Sequence, residues 1–187
     1  MSSFTTQSPN ASNLGESCPI PHAPQGARPD GPLPGDILLF THAKGLSRLI
    51  PWFTGSRYYH CGLYEGHNRV LEARPQGVVR RNLKRGELYP FRVIPMPREG
   101  SIRALDFIRR RLGATYDPLD IAFIIIRHTF PLLRFQYRNH SSFTCGELVL
   151  RAWRAGHCDL LPDLPAAEVI PADFARFLPC DAHDTVL

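Results

Sequence analysis

Short apolar runs separated by turn residues fill the chain between residues 36 and 94. Five of them have the length and the β-branched or aromatic content of strands: 36–40, 58–64, 69–74, 78–79 and 91–94. The second and third runs flank Glu65-Gly66-His67-Asn68, a turn sequence that predicts a β-hairpin.

Helical spacing of apolar residues is typical of the rest of the chain. Ile102, Leu105, Ile108 and Leu112 recur on one face and predict an amphipathic helix over 101–112, which Gly113 ends. Helical patterns also cover 45–53, where Pro51 interrupts, and 117–129, 145–155 and 172–178. Clustered strands with flanking helices predict an α+β domain, with a small antiparallel sheet packed against the helices.

Proline-rich, weakly apolar sequence marks the N-terminus. Residues 1–34 contain Ser-Pro, Pro-Ile-Pro and Pro-Leu-Pro steps, which predict a disordered or loosely attached arm. We expect the folded domain over 35–180 and a tail over 181–187. No apolar run reaches the ~18–20 residues that cross a bilayer, and the start lacks the pattern of a secretory leader. The expectation is a cytoplasmic protein with at most peripheral membrane contact.

The charge and the cysteines narrow the candidate chemistry. A net charge of +5 permits anionic partners. However, phosphate-binding glycine loops and interleaved basic and aromatic strand residues are missing from the sequence, so no nucleic acid is expected. The five cysteines are odd in number and form no CxxC pair, and the histidines lack metal-ligand spacing. We therefore expect reduced thiols, no metal and no cofactor.

Cys145 lies at the predicted start of the 145–155 helix. Backbone N–H groups and the positive end of the helix dipole gather there, and both stabilise a thiolate, the nucleophilic form of cysteine. The same N–H groups can hold an oxyanion, and Gly146 leaves room for a substrate carbonyl, so it is a candidate substrate-binding residue. The alternative is a buried cysteine acting as a small apolar residue, and this segment alone leaves both interpretations open.

His60 and Glu72 are the candidates to complete a catalytic site. Strand alternation places His60 and Gly62 on one face, and Cys61 on the other face, where it is expected to be buried and inert. A three-residue loop about Gly66 would place His60 directly opposite Glu72, whose carboxylate can orient the imidazole. The alternative is a structural His–Glu pair, and a slip of one residue would turn Glu72 away.

Two neighbouring residues are given secondary roles. Tyr59 is expected to line the entrance to the site, as a substrate-binding residue, although strand aromatics more often belong to the core. Glu147 shares a helical turn with Cys145 and is expected to cap the helix or bind an arginine rather than take part in catalysis.

Four segments together indicate a protein family more specifically than any one of them alone: 35–40, 59–66, 70–73 and 143–149. With the histidine strand before the cysteine helix, they resemble the circularly permuted branch of the NlpC-type papain-like superfamily, which includes YiiX-like proteins and lecithin retinol acyltransferase. The resemblance covers residue 34 to about 177. It implies a permuted papain-like fold with Cys145 as nucleophile, His60 as general base and acid, and Glu72 as orienting residue. The chain departs from the family at Cys61, where valine or another aliphatic is usual, and at Gly146, where serine is common.

The resemblance implies a cysteine peptidase or amidase, a hydrolase that cleaves an amide in a peptide, an isopeptide or a peptidoglycan stem. A thiol acyltransferase or lipid hydrolase of the lecithin retinol acyltransferase type is one alternative, slightly favoured by the apolar segment 119–126 and the arginines at 103 and 109–111. The acyltransferases carry histidine at the position of Glu72, so the carboxylate favours the YiiX-like side. A non-catalytic binding module on the same fold is the other alternative. The expected partner is a peptide or peptidoglycan-like substrate, or an acyl lipid.

Overall fold

A five-stranded antiparallel sheet is the centre of the structure, a computed structural model that describes residues 31–41, 56–84, 91–115 and 143–178. The strands are β1 (Ile37–Phe40), β2 (His60–Gly66), β3 (Arg69–Arg74), β4 (Gly77–Asn82) and β5 (Phe91–Ile94). Their order across the sheet is β4-β3-β2-β1-β5, so hairpins join β2, β3 and β4, and β5 returns to pair with β1.

The described residues contain three α-helices: α1 (Arg98–Arg109), α2 (Cys145–Ala155) and α3 (Pro171–Ala175), with a short 3-10 helix at Ala166–Glu168. The α+β class and the small antiparallel sheet are confirmed. The bounds of β3, β5 and α2 are those predicted. The predicted helices over 45–53 and 117–129 lie outside the described residues, as do most of the predicted arm, residues 1–30, and the tail.

Helix α1 differs from its prediction in position and in part of its buried face, since Leu105 and Ile108 are buried as predicted. It begins three residues earlier, at Arg98, and Ile102 is 69% exposed although the apolar pattern places it on the buried face. Leu112 lies beyond the helix and is partly exposed. The physical reason is the contact with α2, where a Cβ on Gly100 would lie 2.5 Å from the carbonyl oxygen of Gly156. This close approach requires glycine and turns the side of α1 that carries Gly100 toward α2.

The β2–β3 hairpin turns through two residues, not three. His67 and Asn68 have φ values of 49° and 62°, the left-handed conformation that a type I′ turn requires at both central positions. Leu63 pairs with Leu71, and an irregularity follows between Tyr64 and Gly66. Continued toward the start of β2, this register places Gly62 opposite Glu72, so the predicted direct pairing of His60 with Glu72 is wrong. The displacement is two residues, which leaves both side chains on the same face of the sheet.

Asp36 fixes the start of β1. Its buried carboxylate accepts hydrogen bonds from the N–H groups of Leu33 (2.8 Å) and Met96 (2.9 Å). Beside it, the indole of Trp153 on α2 donates to the carbonyl of Gly35 (3.2 Å). These bonds attach the start of β1 to the end of β5 and to α2, the helix that begins with Cys145.

Candidate active site

Helix α2 presents Cys145 as its first residue. The hydroxyl of Thr144 caps the helix by accepting a hydrogen bond from the N–H of Glu147 (3.2 Å), and its carbonyl accepts from the N–H of Leu148 (3.0 Å). The N–H groups of Cys145 and Gly146 come before this first intrahelical bond, so helix geometry gives them no carbonyl acceptor. The start of α2 therefore has the donors and the dipole that favour a negative charge on sulfur.

His60 and Glu72 are hydrogen-bonded across the hairpin. Nε2 of His60 lies 3.0 Å from Oε2 of Glu72, with the two side chains 12% and 0% exposed. Gly62 lies between them, and a Cβ there would be 3.1 Å from the Cβ of Glu72 and 2.7 Å from Cγ2 of Val70. The missing side chain leaves the space through which His60 reaches diagonally to the carboxylate.

Two arginines complete the surroundings of Glu72. Its Oε1 accepts hydrogen bonds from Nε of Arg74 (2.5 Å) and Nε of Arg81 (2.6 Å). Arg74 follows two residues later on β3, and Arg81 on β4 pairs with Val70, so both lie on the same sheet face as Glu72. A fully buried carboxylate is tolerated here because three basic side chains satisfy it.

These contacts set the charges on the His60–Glu72 pair. Burial raises the pKa of Glu72, but His60, Arg81 and Arg74 outweigh it and lower the pKa to about 2. Burial lowers the pKa of His60, but the hydrogen bonds and charges of Cys145 and then of Glu72 raise it to about 9. At neutral pH the site therefore holds a carboxylate and an imidazolium.

Interactions with Cys61 and with His60 set the pKa of the Cys145 thiol. The interaction with the Cys61 thiol lowers the pKa of Cys145 most. Burial opposes it, and the bond and charge of His60 lower the pKa further, to well below that of an ordinary cysteine. Because Glu72 engages Nε2 of His60, Nδ1 is the ring nitrogen available to the sulfur. Cys145 and Glu72 thus both act on the imidazole of His60, Glu72 through the 3.0 Å hydrogen bond and Cys145 through the interaction that raises the pKa of His60.

The two predicted substrate-binding residues are neighbours of His60 and of Cys145. The ring of Tyr59 stacks on that of His60, with centroids 6.0 Å apart, and packs against an apolar cluster that includes Phe40. Gly146 is buried, and a Cβ on it would collide with the carbonyl of Val169. The backbone approach at 169–170 gives Gly146 a structural reason for being glycine, different from the one predicted. Substrate contact by either residue stays a prediction.

Sequence reasoning missed Arg74, Arg81 and the effect of Cys61 on the pKa of Cys145. Alternation correctly places Cys61 in the core, where it is 0% exposed, but gives no indication of that effect. Arg74 was detectable, since it lies two residues after Glu72 on one strand, whereas Arg81 required the register of β3 with β4. Glu147 forms an ion pair with Arg151 (2.7 Å), as the arginine-binding interpretation predicts.

Other kinds of site were sought over the same described ranges. No cluster of three or more His, Cys, Asp or Glu residues in them can hold a metal ion. None of the helices described is both long and apolar enough to cross a membrane. No protein-family model matches the chain, and no curated protein matches it. The geometry around Cys145 is therefore the main structural guide to function.

Proposed function

We propose that the protein is a thiol-dependent hydrolase that cleaves an amide bond through an acyl-enzyme on Cys145. The observation that carries the proposal is the 3.0 Å hydrogen bond from His60 to Glu72. Cys145 stands at a helix start, and its interaction with His60 raises the pKa of the imidazole and lowers that of the thiol. Sulfur, imidazole and carboxylate in this sequence are the parts of a cysteine nucleophile with an oriented base. The order of histidine strand and cysteine helix supports a circularly permuted papain-like, YiiX-like fold.

Acylation uses the ion pair that the site favours at neutral pH. The Cys145 thiolate attacks the amide carbon, and the oxyanion accepts hydrogen bonds from the N–H groups at the start of α2. The His60 imidazolium then gives its proton to the amide nitrogen, and the C–N bond breaks. The amine leaves, and the acyl group stays on sulfur as a thioester.

Deacylation restores the starting charges. Neutral His60 takes a proton from water while the water oxygen attacks the thioester, and the C–S bond breaks to release the carboxylic acid and the Cys145 thiolate. Glu72 stays ionised throughout, because its pKa is about 2, and it stabilises the imidazolium at both ends of the cycle.

The substrate class rests on the family resemblance: an amide in a peptide, an isopeptide or a peptidoglycan stem. The acyltransferase alternative depends in part on the arginines of the α1 region facing an anionic membrane. Arg109 is paired with Glu65 (3.0 Å) and Asp106 (3.2 Å), and the guanidinium of Arg111 lies 3.5 Å from the centre of the Phe107 ring. These internal contacts favour a structural use of the two arginines and so favour hydrolysis. The apolar segment 119–126 lies outside the described residues.

The test is to trap the acyl group. The protein is incubated with peptide, isopeptide and peptidoglycan-stem amides and with phospholipids, and the mass added to Cys145 is measured together with the released amine. We expect an amide-derived adduct that Cys145→Ala abolishes and that His60→Ala slows by ~100-fold or more.

A phospholipid-derived adduct that passes to an acceptor would overturn hydrolysis in favour of acyl transfer. If no substrate acylates Cys145, and its alkylation at pH 6 is no faster than that of free cysteine, the protein is a binding module instead.

A further inference from the structure

The two carboxylate oxygens of Glu72 have different partners. Oε2 lies 3.0 Å from Nε2 of His60, whereas Oε1 accepts hydrogen bonds from Nε of Arg74 (2.5 Å) and Nε of Arg81 (2.6 Å). A second nitrogen of Arg81, Nη2, lies 3.4 Å from Oε2. Arg81 therefore contacts both oxygens, in the side-on arrangement by which a planar guanidinium restricts the rotation of a carboxylate.

The register between β3 and β4 gives Arg81 this reach. Glu72 pairs with Val79, and Arg81 lies two residues further along β4, diagonally from Glu72 and on the same face. Diagonal neighbours are ~7–8 Å apart, a distance that an arginine side chain spans. The guanidinium also donates from Nη1 to the carbonyl of Asn82 (3.4 Å) and lies 5.8 Å from the centre of the Phe40 ring. Contacts on several sides thus fix its orientation, and the side chain is only 20% exposed.

We propose that Arg81 is a positioning residue of the candidate site, whose fork holds the carboxylate of Glu72 so that Oε2 faces His60. Arg74 supports it at Oε1. The terminal torsion of a glutamate has no sharp preference, so a carboxylate bonded at one oxygen alone is free to turn. The proposal rests on the proposed function, in which Glu72 orients the imidazole of His60, and it adds β4 to the two strands that build the site.

The charges around Glu72 agree with this role. In the described part of the chain, three cations face the carboxylate: Arg74, Arg81 and His60, whose pKa is raised to about 9. On the other face of β2, burial raises the pKa of the Cys61 thiol, which keeps its proton. Burial also raises the pKa of Glu72, but the three cations lower it to about 2. Removing Arg81 should therefore raise the pKa of Glu72 as well as loosen its orientation.

Two substitutions separate the fork from the charge. Arg81→Met removes both and keeps an unbranched side chain, whereas Arg81→Lys keeps the positive charge without a planar fork. Arg80→Met is the matched control, because Arg80 is the neighbouring residue on β4 and faces the other side of the sheet. It holds the buried Glu65 in the same side-on way, through Nε (2.5 Å) and Nη2 (2.7 Å). Its substitution removes a similar ion pair without touching Glu72.

Nuclear magnetic resonance of the folded protein measures both effects. Carbon-13-labelled glutamate gives the titration of the Glu72 carboxyl, assigned by its loss in Glu72→Gln. Proton spectra give the low-field resonance of the His60 ring N–H that donates to the carboxylate.

We expect the unmodified protein and Arg80→Met to keep the Glu72 midpoint at about 2 and to retain the resonance. Arg81→Met should raise the midpoint by about one pH unit or more, the range of one hydrogen bond to a charged group, and should lose the resonance. Arg81→Lys should raise the midpoint less, because the charge is kept, and should still lose the resonance.

Either an unmoved Glu72 midpoint or a retained resonance in Arg81→Met overturns the proposal. The same changes in Arg80→Met would also overturn it, since they would be a general effect of weakening the sheet. A retained resonance in Arg81→Lys would do so too, because charge alone would then hold the carboxylate. Thermal unfolding confirms that each variant is folded, and Arg81→Gln replaces Arg81→Met if the methionine variant does not fold.

Failure of the proposed function is distinguishable, because these spectra need neither a substrate nor a reactive thiol. If Arg81→Met moves the Glu72 midpoint and loses the resonance while no amide is cleaved, the hydrolase assignment fails and the positioning of Glu72 by Arg81 stands. If amides are cleaved and the spectra do not change, the hydrolase stands and Arg81 is only an ion-pair partner.

Discussion

The two faces of the central sheet are built from different chemistry. The face that packs against α1 and α2 is mainly apolar, with Ile37, Leu39, Leu63 and Leu71 fully buried. It also carries one ion-pair cluster, in which Glu65 binds Arg80 and Arg109. The opposite face has a smaller apolar cluster, and beside it the fully buried Glu72 and its basic partners. One face is stabilised by removing apolar surface from water, and the other depends on placing opposite charges within hydrogen-bond distance.

The candidate site lies where these two faces meet. Cys145 comes from a helix on the apolar face, and His60 belongs to the charged face. They come together at the start of β2, before its pairing with β3 begins at Leu63. The start of β2 pairs with β1 but not with β3, so at this point the sheet is open on one side and groups from both faces can approach each other.

The largest expected effect on stability is on the apolar face. Leu150→Ala should lower the free energy of unfolding by about 3 kcal/mol, because it leaves a cavity around a fully buried residue of α2. Denaturant unfolding measures this loss. Alkylation of Cys145 in the folded protein should stay within roughly twofold of the unmodified chain. A loss of reactivity comparable to that of His60→Ala would show that the two faces do not act separately.

The charged face should give stability that depends on pH. The pKa of Glu72 falls from 4.5 to about 2 on folding, so its contribution is fully present above pH 4.5 and is lost as the pH falls through about 2. The contribution is on the order of 3 kcal/mol. Denaturant unfolding between pH 5 and pH 2 should show this loss in the unmodified protein and a flatter profile in Glu72→Gln. Glu99→Gln, at an exposed carboxylate, is the control, and an equal flattening there would contradict the assignment.

A smaller effect is expected at the glycine between His60 and Glu72. Gly62→Ala would bring a methyl group to 2.7 Å from Val70 and 3.1 Å from Glu72, and should cost about 1–3 kcal/mol and slow Cys145 alkylation. The double variant Gly62→Ala, Val70→Ala relieves the closest contact and tests the cause. Val70→Ala alone gives the separate effect of the second substitution. If the double variant loses as much stability and alkylation rate as the two single variants together, steric contact with Val70 is not the reason for glycine here.

The smallest effect is expected at Ile102, which the apolar pattern places on the buried face of α1. At 69% exposure, Ile102→Gln should change the free energy of unfolding by less than about 0.5 kcal/mol, whereas Leu105→Gln, at a buried position of the same helix, should cost several times more. Thermal or denaturant unfolding of the two variants measures the difference. Similar costs at the two positions would mean that Ile102 is buried in the folded protein, as the apolar pattern predicts.

The sequence by itself determined the features that depend on neighbouring residues. Strand alternation keeps His60 and Glu72 on the same face as long as the register shifts by an even number of residues. The actual register differs from the predicted one by two residues, so the two side chains still share a face and form their hydrogen bond. The segment 145–155 shows both its helical pattern and its start at Cys145, because helix propensity and capping act over a few residues.

Tertiary structure alone decided which distant groups meet. The two-residue turn and the irregularity after Tyr64 set the register of β2 on β3, and the register of β4 then brings Arg81 to Glu72. The close approach of Gly100 to Gly156 accompanies a buried face of α1 that includes Leu105 and Ile108, as hydrophobicity favours, but leaves Ile102 exposed. Each outcome depends on how two separate segments fit together, and the periodicity of one segment contains no information about the shape of the other.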